Sequence, residues 1–130
     1  LRFIHNVLKK RSVCFLLSDF QADRYEDALR VLSRQHDCIG IHCWDMLERD
    51  LPDVGVLRVA DAESGEQAWL DTTSSRLRHQ YQQTFEVHRA STQAMFRRAG
   101  ADFLSLCTNQ PYVRALLRFF AQRSKIVAHG

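Results

Sequence analysis

Apolar positions along the chain change their period several times, and each change predicts a new element. Leu1, Ile4 and Leu8 recur at helical spacing, with Lys9, Lys10 and Arg11 at the end where cations suit a helix C-terminus. Ser12 to Phe20 reads SVCFLLSDF, an apolar run too short for a helix, as expected of a strand covered on both faces. Asp23 and Glu26 have the spacing of a capping box, and Ala28, Leu29 and Leu32 follow on one stripe, predicting a helix to about Gln35. CIGIHCW from Cys38 to Trp44 is a second, mostly buried strand, and two strands joined by one helix predict a right-handed parallel unit.

The rhythm breaks between Val54 and Asp71, where GVLRVA and QAWLD flank a turn-rich segment; this predicts a hairpin with Gly65 at positive φ. Thr72 to Ser75 offer N-cap hydroxyls to a long helix with Leu77, Tyr81, Phe85, His88, Met95 and Ala99 facing inward, closed by Gly100. FLSLC predicts a third strand. Pro111 then opens a last helix with Val113, Leu116, Leu117 and Phe120 as its inward stripe and a frayed tail from Lys125.

The order α-β-α-β-hairpin-α-β-α is that of an open parallel sheet with helices on both faces: an α/β, Rossmann-like, doubly wound sheet. Three parallel strands are few, and an apolar edge strand is a template for pairing. Residues 1–130 are therefore expected to be one partial domain with a hairpin inserted at about 54–71. Further strands before Leu1, or a second copy in a homo-oligomer, would complete the edge at Ser12 to Phe20. The opening at Leu1 without Met fits removal of upstream sequence.

Composition changes this picture little. The chain is 45% hydrophobic and 25% charged with a net charge of +3, so it should fold, and nothing global calls for a polyanionic partner. No run approaches the ~20 apolar residues that span a bilayer. Cys14, Cys38, Cys43 and Cys107 show no dense disulfide or Cys-x-x-Cys spacing. They read as small buried hydrophobes in a reduced, cytoplasmic setting, although Cys38, His42 and Cys43 make a metal cluster conceivable.

SVCFLLSDF, DCIGIHCWD, RDLPDVG, LRVADAESGEQAWLD, RRAGADFLSL and YVRALLRFF, in that order, carry a family resemblance over nearly the whole chain. The chain resembles the C-terminal half of the bacterial von Willebrand factor A-like proteins catalogued as domain of unknown function fifty-eight. The resemblance implies three strands before Leu1, a parent with upstream membrane helices, and a protein-interaction module acting with a MoxR-type AAA+ ATPase. It also implies Mg²⁺ in the full-length parent, held above the sheet by an Asp-x-Ser-x-Ser loop, a Thr and an Asp. Only Asp19, in Ser18-Asp19-Phe20, matches that set, as a remnant of a metal-dependent adhesion site. One carboxylate cannot satisfy an ion that prefers six oxygens, so no cofactor is expected in this chain.

Other chemistry is weighed against blander readings. Ser18, His42 and Asp45 could make a nucleophile, base and orienter, but Ser18 is on no Gly-x-Ser-x-Gly elbow and His42 lies within a strand. Phosphate-cradling glycine loops are missing, and neither an enzyme nor a small-molecule substrate is expected. Arg76, Arg78, Arg89, Arg97 and Arg98 make the long helix basic, the basis of an alternative reading as a nucleic-acid or anionic membrane-surface binder. Its aromatic residues point inward, so a solvated face is the simpler explanation and no nucleic acid is expected. Ser18, Asp19, Arg97 and Arg98 remain the interaction candidates.

Overall fold

The computed structural model describes residues 7–22, 24–61 and 64–128. The expected first helix falls largely on residues 1–6, and the capping role on Asp23; both lie outside the described residues. In chain order the elements are β1 (Val13–Ser18), α1 (Glu26–Gln35), β2 (Asp37–Trp44), α2 (Met46–Arg49), β3 (Val56–Ala60), β4 (Gln67–Asp71), α3 (Ser75–Arg98), β5 (Asp102–Cys107) and α4 (Val113–Ala128). They divide into two compact units, residues 1–45 with 89–130 and residues 46–88.

The first unit is a mixed α/β structure built on a three-stranded parallel sheet in the order β1-β2-β5, a partial Rossmann-like arrangement. Because β2 is central, its run of Val-like apolar residues is covered on both sides, as parallel sheets require. Alternation sends Cys14, Leu16, Cys38, Gly40 and Phe103 to one face. There they meet Leu29 and Leu32 of α1, Phe20 from the loop after β1, and Phe96 near the end of α3. Ile39, Ile41, Leu104 and Leu106 turn to the other face and pack under Ala115, Leu116 and Phe119 of α4.

Two ionic contacts fix α4 over that second face. Arg123 reaches both carboxylate oxygens of Asp37 at 2.7 Å and Asp102 at 2.9 Å, so one guanidinium ties the amino ends of β2 and β5 together. Planar guanidinium forks suit such double engagement. The same side chain lies 5.9 Å from the Phe119 ring centroid.

Three local expectations need correction. The N-cap of α1 is Tyr25, and its side chain makes no capping bond; Glu26 is the first helical residue instead of the third. The inward stripe of α4 is rotated: Ala115, Leu116 and Phe119 pack inward, whereas Val113, Leu117 and Phe120 are exposed. Arg123 grips Asp37 and Asp102 while Phe119, one turn earlier on the same side, packs on Ile39, Ile41 and Leu106, and Leu117 lies off that side of the helix. Its last turn also continues to Ala128.

The third correction concerns β1, which is not covered on both faces. Cys14 is buried on the α1 side, but Val13, Phe15 and Leu17 on the other are 56%, 47% and 64% exposed. Phe15 lies edge-on to Phe120 of α4 at 6.1 Å between centroids.

In the second unit β3 and β4 form the expected antiparallel hairpin, with Gly65 at φ 72° in its turn. Thr72, fully buried, closes the hairpin's neck: its amide donates to the Gly55 carbonyl at 2.9 Å and its hydroxyl accepts from Val54 N at 3.1 Å. Ser74 caps α3 by accepting from Leu77 N at 3.2 Å. Arg78 of the same helix donates to the carbonyls of Thr72 and Thr73, and Tyr81 donates to that of Leu47.

Gly40 is the sharpest packing constraint in the first unit. A Cβ there would stand 2.9 Å from Phe96 Cδ1 and nearer still to two more ring carbons. Phe96 is fully buried and cannot yield, being packed at 5.1 Å against Phe20 and 5.3 Å against Phe103. Gly40→Ala should therefore destabilise by ~1–3 kcal/mol through overpacking, read as a lowered urea midpoint at unchanged slope. Combining it with Phe96→Leu should recover part of that loss, since the two changes share one space.

Candidate functional site

The end of β1 and the loop that follows are where an open α/β sheet presents its ligands, beyond the carboxyl ends of the strands. Three residues turn the chain sharply there. Ser18 Oγ accepts from Phe20 N at 3.0 Å, and Asp19 Oδ1 accepts from Gln21 N at 3.2 Å and stands 3.4 Å from the Ser18 hydroxyl. Both side chains thus serve their own loop, as Ser and Asp commonly do after a strand.

Phe20 and Arg24 adopt φ of 53° and 63°, in the left-handed region that side-chain-bearing residues avoid. For Phe20 the compensation is visible. Its ring is buried among Tyr25, Phe96 and Phe103 at centroid distances of 5.1–6.1 Å, and this apolar burial offsets the backbone strain.

The turn leaves an open groove of about 380 Å³ beside β1, lined by Phe15, Leu16, Leu17, Ser18, Phe20, Ala22 and Tyr25. Its wall is chiefly apolar, with the Ser18 and Tyr25 hydroxyls as its polar groups. Among the described residues β1 hydrogen-bonds only to β2, so the strand bordering the groove offers its outer edge for pairing. Sequence reasoning found Ser18 and Asp19, but it missed the groove. Phe15 and Leu17 belong to a run that reads as buried, and only the position of α4 shows that they are not.

The donors at Asp19 do not make a magnesium site. They amount to one carboxylate, whose Oδ1 already accepts an amide, and one hydroxyl, where the ion takes six oxygens. No three His, Cys, Asp or Glu side chains gather among the described residues. Cys14, Cys38 and Cys107 are buried free thiols, and burial is the largest cause pushing the Cys38 thiol up.

Ser18 and His42 are cross-strand partners in register, yet they do not form a catalytic pair. His42, buried, turns its Nδ1 to Ser105 Oγ at 3.2 Å, and Trp44 Nε1 donates to that same hydroxyl at 2.9 Å. The Ser105 hydroxyl, one donor with two lone pairs, can serve both neighbours, and the direction of its bond with His42 follows the imidazole tautomer. The trio is a polar link between β2 and β5, and Ser18 is occupied in its own turn.

The arginines are separated as well. Arg98 lies 3.4 Å from Glu26 of α1, and Arg78 is turned onto its own helix start and stands 3.5 Å from Asp53. Arg97 is exposed. No helix among the described residues is long and apolar enough to cross a membrane.

Two outcomes test this geometry. Calorimetric titration of the chain with Mg²⁺ should show no site tighter than millimolar; micromolar affinity would overturn the donor count. Tyr25, desolvated at the groove, has its phenol pushed up from 10.0 to about 12. The folded state then holds this proton more tightly than the unfolded chain, so its contribution is intact below pH 10 and is lost as pH climbs from 10 toward 12. Tyr25→Phe should flatten the fall in stability across that window, measured by urea unfolding at stepped pH. Tyr81, also raised by burial, should leave a smaller residual slope.

Uncharacterized proteins of Mycobacterium bovis (Mb1516) and Mycobacterium tuberculosis (Rv1480) are each 30% identical over 118 residues, 90% of this chain and 37% of theirs. A third, MAV169 of Mycobacterium avium, is 26% identical over 90% of this chain and 69% of its own. The chain thus spans little more than a third of the length of the first two relatives. No solved structure matches significantly. The model of the family described as "Protein of unknown function DUF58" matches residues 1–91, which include the groove and the hairpin, and the chain belongs to that family.

Proposed function

We propose that this chain is the partner-binding portion of a larger protein, engaging a polypeptide in the groove at the carboxyl end of β1 and leaving the outer edge of that strand to the preceding strands that the resemblance implies, with no turnover of its own. The observation that carries the reading is the state of β1. Its residues toward the groove, Phe15 and Leu17, stand exposed together with Val13. Exposed contiguous apolar surface beside a groove is a recognised seat for a protein ligand. Ser18 and Asp19 at the rim would orient the ligand by hydrogen bonds, and their engagement in the turn holds them in place.

In the parent protein the ligand would be worked upon by a MoxR-type AAA+ ATPase, the partner that the family resemblance implies, and any Mg²⁺ would need donors from outside this chain. Held alone, the chain would satisfy the same edge by pairing with a second copy. Non-enzymatic action is supported by the way Ser18 and His42 are committed to separate partners.

Co-expression of the full-length protein with its MoxR-type ATPase, followed by affinity capture, tests the reading. The ATPase should be retained by the wild type and at least tenfold less by Phe15→Lys and Leu17→Lys, which put charge in the groove. For the isolated chain, light scattering should show an oligomer that the same substitutions convert to monomer. Retention unaffected by both changes would remove β1 from the interface.

A further inference from the structure

The fold brings together two thiols for which the groove has no use. Cys14 and Cys38 are direct register partners on the neighbouring parallel strands β1 and β2, and both side chains enter the buried cluster under α1 with Leu29, Leu32 and Phe96. Both are free thiols, 9% and 2% exposed. Just ahead of them the strand starts are clamped in register. Asp37 N donates to the Ser12 carbonyl at 2.8 Å, and Ser12 N donates to His36 Nδ1 at 3.2 Å.

Residues held opposite each other on adjacent strands have Cα atoms about 4.8 Å apart, inside the ~4.4–6.8 Å that a disulfide spans, so a bond between these two needs no rearrangement of the sheet. Their side chains already meet: burial first, and a side-chain hydrogen bond with Cys14 as well, push the Cys38 thiol up. The other two cysteines are placed elsewhere. Cys43 turns to the opposite face of β2, beside Ile39 and Ile41, with its thiol 3.9 Å from the Ile41 carbonyl. Cys107 is the register partner of Trp44, at the far end of β2 from Cys38.

We infer that Cys14 and Cys38 are a dithiol–disulfide site, oxidised to an intramolecular bond by a low-molecular-weight disulfide such as glutathione disulfide. Cys14, the less deeply buried of the two, reacts first. Its thiolate attacks one sulfur of the small disulfide, whose S–S bond breaks; a mixed disulfide forms on Cys14 and one small thiolate leaves. The Cys38 thiolate then attacks the Cys14 sulfur, the Cys14–Cys38 bond forms, and the second small thiolate leaves. Two electrons pass from the protein to the small disulfide, and the two protons given up by the cysteines end on its two thiols. Each cysteine is the second residue of its strand, so fraying of the strand starts, without unfolding of the sheet, admits the reagent. Once made, the bond pins β1 to β2 and closes the chain around α1. The site lies toward the amino end of β1 and does not rest on binding in the groove at the other end.

The test takes the full chain, reduced and then freed of reductant, and incubates it with glutathione disulfide under native conditions before alkylation, digestion and mass mapping. A Cys14–Cys38 crosslink that dithiothreitol reverses is expected in most molecules, with Cys43 and Cys107 alkylated. Cys38→Ser should halt the reaction at the mixed disulfide, read as a glutathione adduct on Cys14. Should that variant misfold, Cys38→Ala keeps a small apolar side chain in the cluster and gives the same readout. In the oxidised wild type, amide hydrogen exchange over residues 13–18 should be at least tenfold slower than in the reduced chain. Thiols at Cys14 and Cys38 that stay free, a crosslink to Cys43 or Cys107, or glutathione that persists on Cys14 in the wild type would overturn the inference. So would the lack of an adduct in both Cys38 variants, or exchange in β1 that oxidation leaves unchanged.

Discussion

The ring of Phe96 lies on β2 at its one position without a side chain, Gly40, and the first unit is arranged around that contact. With no Cβ between them, the end of α3 approaches the sheet closely enough for Phe96 to meet Phe20, Phe103 and Tyr25 in one aromatic group. Phe20 can be there only because its backbone turns left-handed directly after β1. A glycine in a central strand, a long helix far along the chain and a strained loop are thus three parts of one packing solution. Interiors at crystal-like density tolerate little change in any one of them.

The two faces of the sheet are treated differently, and the difference leads toward function. One face is sealed by α1, Phe20 and the end of α3. The other is sealed over β2 and β5 by α4, which Arg123 holds to Asp37 and Asp102. That tether sets the helix over the two strands whose ends it grips, leaving the third, β1, with its outward residues in water. Exposed contiguous apolar surface of this kind is where proteins commonly take a ligand. It coincides with the loop where α/β sheets hold their ligands, which is why the groove, more than the Asp19 carboxylate engaged in its own turn, is the informative feature of this end of the sheet.

The hairpin unit follows a separate logic. Thr72 draws its neck closed with three hydrogen bonds to Val54 and Gly55, so two short strands can project an exposed tryptophan without help from a third. Its negative charge sits against the positive balance of the rest of the chain.

The sequence by itself determined the elements and their order. Period-two and apolar runs placed β1, β2, β5 and the hairpin, Gly65 and Gly100 marked two left-handed turns, and the serines before Leu77 marked the start of α3, all because these signals are local and each residue's neighbours in sequence decide them. It also pointed to Ser18 and Asp19. What only the tertiary structure decided was facing. The chain does not state that α4 turns Leu117 and Phe120 outward, that Phe15 and Leu17 stay in water, or that His42 spends its hydrogen bond on Ser105, 63 residues away. Apolar residues carry the same pattern whether or not something covers them; coverage depends on contacts between distant elements, here Arg123 with two strand ends and Phe96 with a glycine, and such contacts leave no periodic mark in the sequence.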